Sequence, residues 1–289
     1  MIEVDRLTHR FKEETALQDI SLTMEKGKTY GLIGRNGAGK TTLLSILASF
    51  LPKQEGTYWY KGEDPFEQQA LMSEMQFVYQ RDYSDETDKV TDYVKLYSRY
   101  LPRFDEERAF SLLKGFGVPL DKAIHSLSTG KKSAFTICLG LASQSEVLIF
   151  DEAYQGLDAP GRERFYQLLV EEQERDPKLI ILSTHLVSEM DYLFDHVLIL
   201  DRGELVVNEP AETFRERGVT VTGHKDTVAA FMEGKQVIQK RELGPTVACT
   251  LFDRPGEDEL REMKEAGLEI SAVSLQDLFI YMTEEEEPV

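Results

Sequence analysis

The chain has 289 residues, 41% of them hydrophobic, which is enough for one sizeable core or for a large domain with a smaller one attached. Its net charge of −19 argues against non-specific affinity for nucleic acid or anionic lipid, because each phosphate contact normally needs a Lys or Arg. The sequence shows no bilayer-spanning apolar run and no basic, apolar leader, and Cys138 and Cys249 lie far apart without metal spacing. A soluble chain that stays in the cytosol, with buried thiols, is the expectation.

Residues 1 to 30 read as short strands with polar turns, an antiparallel edge sheet that carries Phe11. A short apolar strand is predicted from Thr29 to Ile33, then a glycine-rich loop, then a helix that runs until Pro52 stops it. Gly34, four spacers, Gly39, Lys40 and Thr41 match G-x-x-x-x-G-K-[ST] in the strand, loop and helix setting the pattern requires. In such a loop the glycines let backbone N–H groups turn toward phosphate oxygens, and the following helix N-terminus favours negative charge. The expected phosphate cradle is Gly34, Asn36, Gly37, Ala38, Gly39, Lys40, Thr41 and Thr42. Lys40 can reach the β and γ phosphates, and the Thr41 hydroxyl can ligate Mg²⁺.

A hairpin-like "EGTYWYKG" follows, then a helix at about residues 65 to 74 and the strand-like "MQFVYQ" ending in Gln80. From Tyr83 to about Lys132 the apolar residues recur with helical spacing. Within that region "HSLSTGKK" is polar and shaped like an anion-binding nest before a helix, with no acid, base or nucleophile beside it in the sequence. In "EVLIFDEA" the apolar strand Val147 to Phe150 ends in Asp151 and Glu152, carboxylates placed at the C-terminal end of a buried parallel strand. After a phosphate loop, Asp151 is placed to hold Mg²⁺ through water and Glu152 to orient or deprotonate the attacking water. Strands at Val147, Leu179 and Val197 alternate with helices such as "GRERFYQLLVEEQER" and imply a parallel sheet. Beyond Pro210, short strand-like and helical stretches suggest a small α+β appendage, and Glu284 to Glu287 read as a solvated tail.

Taken in this order, the motifs resemble the ATP-binding cassette family over about residues 1 to 215. The resemblance implies an α/β P-loop NTPase with a mixed core sheet, an antiparallel edge sheet and a helical subdomain at about 83–132; beyond it, the alternating pattern at 216–289 reads as a separate small C-terminal α+β domain. Leu127-Ser128-Thr129-Gly130-Lys131 occupies the place of the family's Leu-Ser-Gly-Gly-Gln signature, which implies that Ser128, Thr129 and Gly130 contact the γ-phosphate of ATP bound by the other subunit. Asp158, in Gly156-Leu157-Asp158, matches the loop that crosses the dimer interface. Gln80 matches the glutamine that senses Mg²⁺ and the water, His185 the histidine that contacts the γ-phosphate, and Phe11 the aromatic ring stacked on adenine.

By the same resemblance, this is the ATPase subunit of a transporter. It would bind and hydrolyse ATP with Mg²⁺ at two composite sites in a head-to-tail dimer, with itself or with another cassette, and drive a transmembrane permease carried on a separate chain. No nucleic acid is expected, and the place of work is the cytoplasm, peripheral at the inner face of the membrane. The helical subdomain would dock on the permease, with Tyr93, Tyr97 and Tyr100 either at that contact or in the core. The ending "SAVSLQDLFIYMT" resembles cassettes of bacterial exporters of the bacitracin-resistance and lantibiotic-immunity type, which implies a dimer-stabilising or regulatory appendage.

Two signature positions depart from the family pattern. Thr129 replaces a glycine, so either an ordinary φ suffices there or the closed dimer is weaker. Lys131 replaces the glutamine and Lys132 follows it, two cations that would strengthen nucleotide-dependent dimerisation or else are solvated surface lysines. The alternative function is a soluble cassette ATPase acting on the ribosome or DNA; such relatives usually carry two cassettes, a basic linker or long insertions, none of which is seen here. A GTPase lacks support because no Asn-Lys-x-Asp motif is present.

Overall fold

The computed structural model describes residues 1–283, so the tail at Glu284 to Glu287 lies outside the described residues. Strands β1 (Ile2–Phe11) and β2 (Glu14–Met24) form a long antiparallel hairpin that turns at Lys12 and Glu13, with Ile2 opposite Met24 and Phe11 opposite Glu14. Next come β3 (Thr29–Ile33), buried throughout, and α1 (Lys40–Leu47). That helix ends well before Pro52, because Ser49 takes a left-handed φ of +58° and turns the chain. Strand β4 (Glu55–Tyr60) pairs with the free edge of β1 as the third strand of the edge sheet, and "EGTYWYKG" ends in a tight turn at Lys61 and Gly62 where Tyr60 and Glu63 exchange backbone hydrogen bonds. Its alternation buries Tyr58 and Tyr60 and exposes Trp59.

The helix expected at 65–74 shrinks to the single turn α2 (Gln69–Met72), since the Asp64 carboxylate accepts from the Phe66 N–H at 3.1 Å and fixes a turn before Gln68. Strand β5 (Met75–Tyr79) leads into the helical region: α3 (Val90–Tyr100), α4 (Glu106–Gly115) and α5 (Thr129–Ala142). The region reaches the main core through Val94, Leu113 and Phe135. Tyr93 is 5% exposed, its ring centroid 5.5 Å from both Tyr97 and Phe135, so Tyr93 belongs to that packing; Tyr100, 76% exposed, is the member of the trio outside it.

Strand β6 (Val147–Asp151), α6 (Ala159–Arg175), β7 (Leu179–Thr184), α7 (Val187–Met190), β8 (His196–Asp201), β9 (Glu204–Pro210) and α8 (Ala211–Glu216) complete the first unit. Its sheet has the order β5-β6-β7-β3-β8-β9, parallel except where β9 returns antiparallel beside β8. Strand β3 therefore lies between two strands that follow it far along the chain, the arrangement that opens a ligand crevice beyond the strand ends.

The chain then adds β10 (Val219–His224), α9 (Lys225–Met232), β11 (Val237–Leu243), β12 (Thr246–Leu251), α10 (Glu257–Glu265) and β13 (Glu269–Ala272), an antiparallel sheet of order β11-β12-β10-β13 with its own small core around Val221, Val247 and Met263. The last helix, α11 (Leu275–Thr283), leaves that core. Leu275 and Leu278 are buried in the main cluster that also holds Met190 and Phe214.

Two charged ties hold the helical region to the sheet. Glu172 on α6 has no solvent exposure and is bonded to Arg108 of α4, to Arg175 at 2.9 Å and to Lys178 at 3.6 Å. Glu146, just before β6, bonds Lys26 at 2.7 Å and Arg103 at 3.0 Å. The Lys26 hydrogen bond, with Arg103 beside it, holds the Glu146 carboxyl down to about 2 from its ordinary 4.5. A lowered folded-state value adds stability above the unfolded pKa and loses it as pH falls toward the folded one. A shielded pair so displaced would contribute about 3 kcal/mol; Lys26 and Arg103 are half exposed, so about 1–2 kcal/mol is expected. Glu146→Gln should therefore lower unfolding stability by about 1–2 kcal/mol at pH 7 in urea titrations, and its deficit against the parent should shrink from about pH 4.5 toward pH 2.

Candidate nucleotide-binding site

Because β3, β5, β6 and β7 run parallel, their carboxyl ends share one edge: Tyr79 pairs with Asp151, Asp151 with Ser183, and Ser183 with Leu32. The glycine-rich loop leaves β3 at this edge, Gln80 follows β5, Glu152 follows β6 and His185 follows β7. Four sequence-distant motifs thus meet because strand ends align.

Lys40, the first residue of α1, is 6% exposed, and its ammonium donates to the carbonyls of Gly34 at 2.7 Å and Arg35 at 3.2 Å. Burial lowers its pKa, while the carboxylates of Glu152 and Asp151 act in the opposite direction. The turn before it depends on Gly39, whose φ is +101° and whose added Cβ would stand 2.5 Å from the Ala16 carbonyl oxygen.

Asp151 accepts from the Thr41 hydroxyl at 2.7 Å and from Ser183 at 2.6 Å. Ser183 was not legible as a site residue. Its only signal is its place two residues before His185 at the end of an apolar strand. Glu152 lies 3.9 Å from Lys40 and 3.3 Å from Nδ1 of His185, in a backbone conformation with φ +47° that a glutamate seldom adopts. Gln155, also unforeseen, donates to the Glu152 carboxylate and accepts from Gln80 at 3.0 Å.

These groups border a cleft of about 540 Å³ lined by Phe11, Asn36, Gly37, Gly39, Lys40, Thr41, Thr42, Gln80, Asp151 and Glu152, together with Glu14, Thr15, Ala16, Tyr79 and Gln155. Phe11 is half exposed at the cleft, edge-on to His9 at 4.7 Å. Three expected members stand aside from the lining, among them His185, which meets the cleft through Glu152. Gly34 contributes its carbonyl to Lys40, and Ala38, 4% exposed, faces a neighbouring hollow with Arg35 and Thr283. A buried cation, exposed loop N–H groups, an aromatic ring and a carboxylate near a histidine suit a polyphosphate ester with a flat base.

Ser128, Gly130 and Asp158 border a different concavity of about 580 Å³ that shares no lining residue with the first. Thr129 opens α5 with helical dihedrals, so its φ is ordinary. The glycine that cannot be exchanged is Gly130: an added Cβ would lie 2.6 Å from the Gly156 carbonyl oxygen. Of the two readings of Lys131, the solvated surface lysine does not hold. Its ammonium donates at 2.6 Å to the Phe116 carbonyl just after α4, at the negative end of that helix, and is already engaged.

The ABC transporter family matches residues 17–155. The ABC transporter ATP-binding protein YtrB of Bacillus subtilis is 28% identical over 97% of this chain and 97% of its own length. An uncharacterized ABC transporter ATP-binding protein of Methanocaldococcus jannaschii is 32% identical over 71% of this chain and 76% of its own. Among solved structures, the ATP-binding subunit of an ABC transporter superposes with a TM-score of 0.68 at 21% identity, covering 74% of this chain and 92% of that one. A dimeric ATP-binding cassette bound to ADP and Pi superposes with a TM-score of 0.64 at 20% identity, covering 73% and 99%. The fold, the edge on which the motifs converge and these likenesses agree: the chain belongs to the ABC transporter ATP-binding proteins.

Proposed function

We propose that this chain binds Mg-ATP in the cleft beneath the glycine-rich loop and hydrolyses it. Two cassettes would close head to tail, each supplying Ser128, Thr129, Gly130 and Asp158 to the other's nucleotide, and the motion would drive a separate transmembrane permease of the exporter kind. The observation that carries the reading is the placement of Glu152 between Lys40, His185 and the Gln80–Gln155 pair at the end of β6. A second support is that the signature lines another concavity, so a composite site needs a second copy or a second cassette. Among the described residues no helix is long and apolar enough to cross a membrane. The permease is proposed as a separate chain, with this subunit cytoplasmic and peripheral to the membrane, on the strength of the family likeness.

The donor set fits Mg²⁺: the Thr41 hydroxyl, the Asp151 carboxylate and the Gln80 carbonyl are hard oxygen donors, and Thr41 already touches Asp151. Bound there with phosphate oxygens, Mg²⁺ would neutralise charge on the β and γ phosphates. The protein's own steps follow from the contacts. Lys40 holds the phosphate chain in place. Glu152 accepts a proton from water, whose oxygen bonds to the γ-phosphorus while the bond to the β–γ bridging oxygen breaks and ADP leaves with that electron pair. His185, within 3.3 Å of Glu152, orients the carboxylate and then the γ-phosphate.

The appendage is proposed to stabilise or regulate the ATP-bound dimer. What supports this is a direct tie: Arg35, inside the phosphate loop, donates at 3.3 Å to the carbonyl of Thr283 at the end of α11.

In the Glu152→Gln variant, turnover should fall by about 10³-fold, ATP should persist, and light scattering on a sizing column should show a dimer with Mg-ATP and a monomer without it. A monomer that fails to retain ATP at saturation would sink the hydrolytic reading. Placed on that background, Arg35→Ala should raise the ATP concentration for half-maximal dimer formation by about three- to tenfold, the scale of one ordinary hydrogen bond, as suits a contact of 3.3 Å; an unshifted curve would remove the regulatory role from α11.

A further inference from the structure

Gln155 is not among the groups assigned to catalysis or binding, yet among the described residues it is the one side chain hydrogen-bonded to both Gln80 and Glu152. Its position is fixed independently of those contacts. The Gln155 N–H donates to the Glu152 carbonyl at 3.0 Å, closing a tight turn, and the Gln155 carbonyl accepts from the Ser133 hydroxyl of α5 at 2.5 Å.

The direction of the amide chain is dictated by chemistry. An ionised carboxylate can only accept, so Gln155 must present its NH₂ to Glu152. Its carbonyl oxygen then faces Gln80, and only the NH₂ of Gln80 can meet it. The remaining atom of the Gln80 amide is its carbonyl oxygen, the one atom of that side chain able to ligate a hard cation. An unrestrained amide would have to be turned oxygen-first by the cation itself, at the cost of its rotational freedom.

From this geometry we infer that Gln155 is a positioning residue with two separable tasks. Through its oxygen it sets the Gln80 amide so that the Gln80 carbonyl is available to Mg²⁺. Through its NH₂ it holds Glu152 in the left-handed conformation, φ +47°, from which the carboxylate reaches the cleft. The inference rests on the Mg-ATP reading of the same site.

Two substitutions separate the tasks. Gln155→Leu keeps the volume and removes both contacts. Gln155→Glu keeps an acceptor for Gln80 but replaces the donor to Glu152 with a like charge. The measurement is equilibrium binding of a fluorescent ATP analogue in Mg²⁺ and in EDTA, with single-turnover hydrolysis followed in parallel. For Gln155→Leu, the gain in affinity that Mg²⁺ confers should drop by about tenfold and turnover by at least as much, the usual scale for a lost outer-sphere partner. For Gln155→Glu, the gain should stay at least at the parental level while turnover falls as in the leucine variant. A leucine variant with the parental Mg²⁺ gain, or two variants with equal losses of it, overturns the inference. If the parent itself shows neither Mg²⁺-dependent binding nor turnover, the reading of the site fails, and the role of Gln155 fails with it.

Discussion

The physical constraint on which the rest of this structure depends is a lysine ammonium kept out of water. Lys40 must be desolvated to meet a polyphosphate at close range, and a buried cation without partners would cost several kcal/mol. The protein meets that demand locally, by folding the loop so that the carbonyls of Gly34 and Arg35 face the ammonium, and across the sheet, by bringing Glu152 to 3.9 Å. The loop therefore holds its shape around its own lysine. The same demand explains why β3 is buried along its full length and why the motif-bearing strands around it run parallel: only that arrangement gathers Lys40, Asp151, Glu152 and His185 on one edge.

The edge is mechanically connected to the helical region. Ser133, one turn into α5, bonds the Gln155 carbonyl, and Gly130 packs against the Gly156 carbonyl. A shift of the loop between Glu152 and Asp158 must therefore move the start of α5, and the reverse. Behind that contact, Glu172 and Glu146 pin α4 and the α3–α4 connection to the sheet through charges with little or no access to water on the carboxylate side. In the proposed head-to-tail dimer, closure of a second cassette onto Ser128 and Gly130 would be felt at Glu152 through a chain of hydrogen bonds only a few residues long.

The parts legible in the sequence are those where a residue type is demanded by chemistry. Gly39, Lys40, Thr41, Asp151, Glu152, Gln80 and His185 all reach the site edge, because each stands at the end of a strand or the start of a helix that periodicity alone locates. The helix ends were less legible. Nothing in the composition of "LASFLP" announces that Ser49 turns left-handed, and the turn at Asp64 depends on one side chain bonding the next backbone N–H but one. Ser183 and Gln155 were invisible for a different reason. Serine and glutamine are common, and what makes these two significant is the register of β6 on β7 and the direction of an amide, neither of which is a property of local sequence.

The C-terminal appendage shows how far composition can mislead about units. After Pro210 the sequence reads as one small α+β piece, and β10 to β13 with α9 and α10 do form such a piece with a separate core. Helix α11 behaves otherwise, since Leu275 and Leu278 are more completely buried against the cassette than any alternation could indicate. Its apolar face covers Phe214 and Met190, the latter in the short helix that follows His185, while its last carbonyl takes the guanidinium of Arg35 from the phosphate loop. One helix thus touches both the phosphate loop and the short helix that follows His185. A strain on the small sheet that tilted α11 would reach both of them, which gives the appendage a route to the site that needs no contact with the ligand.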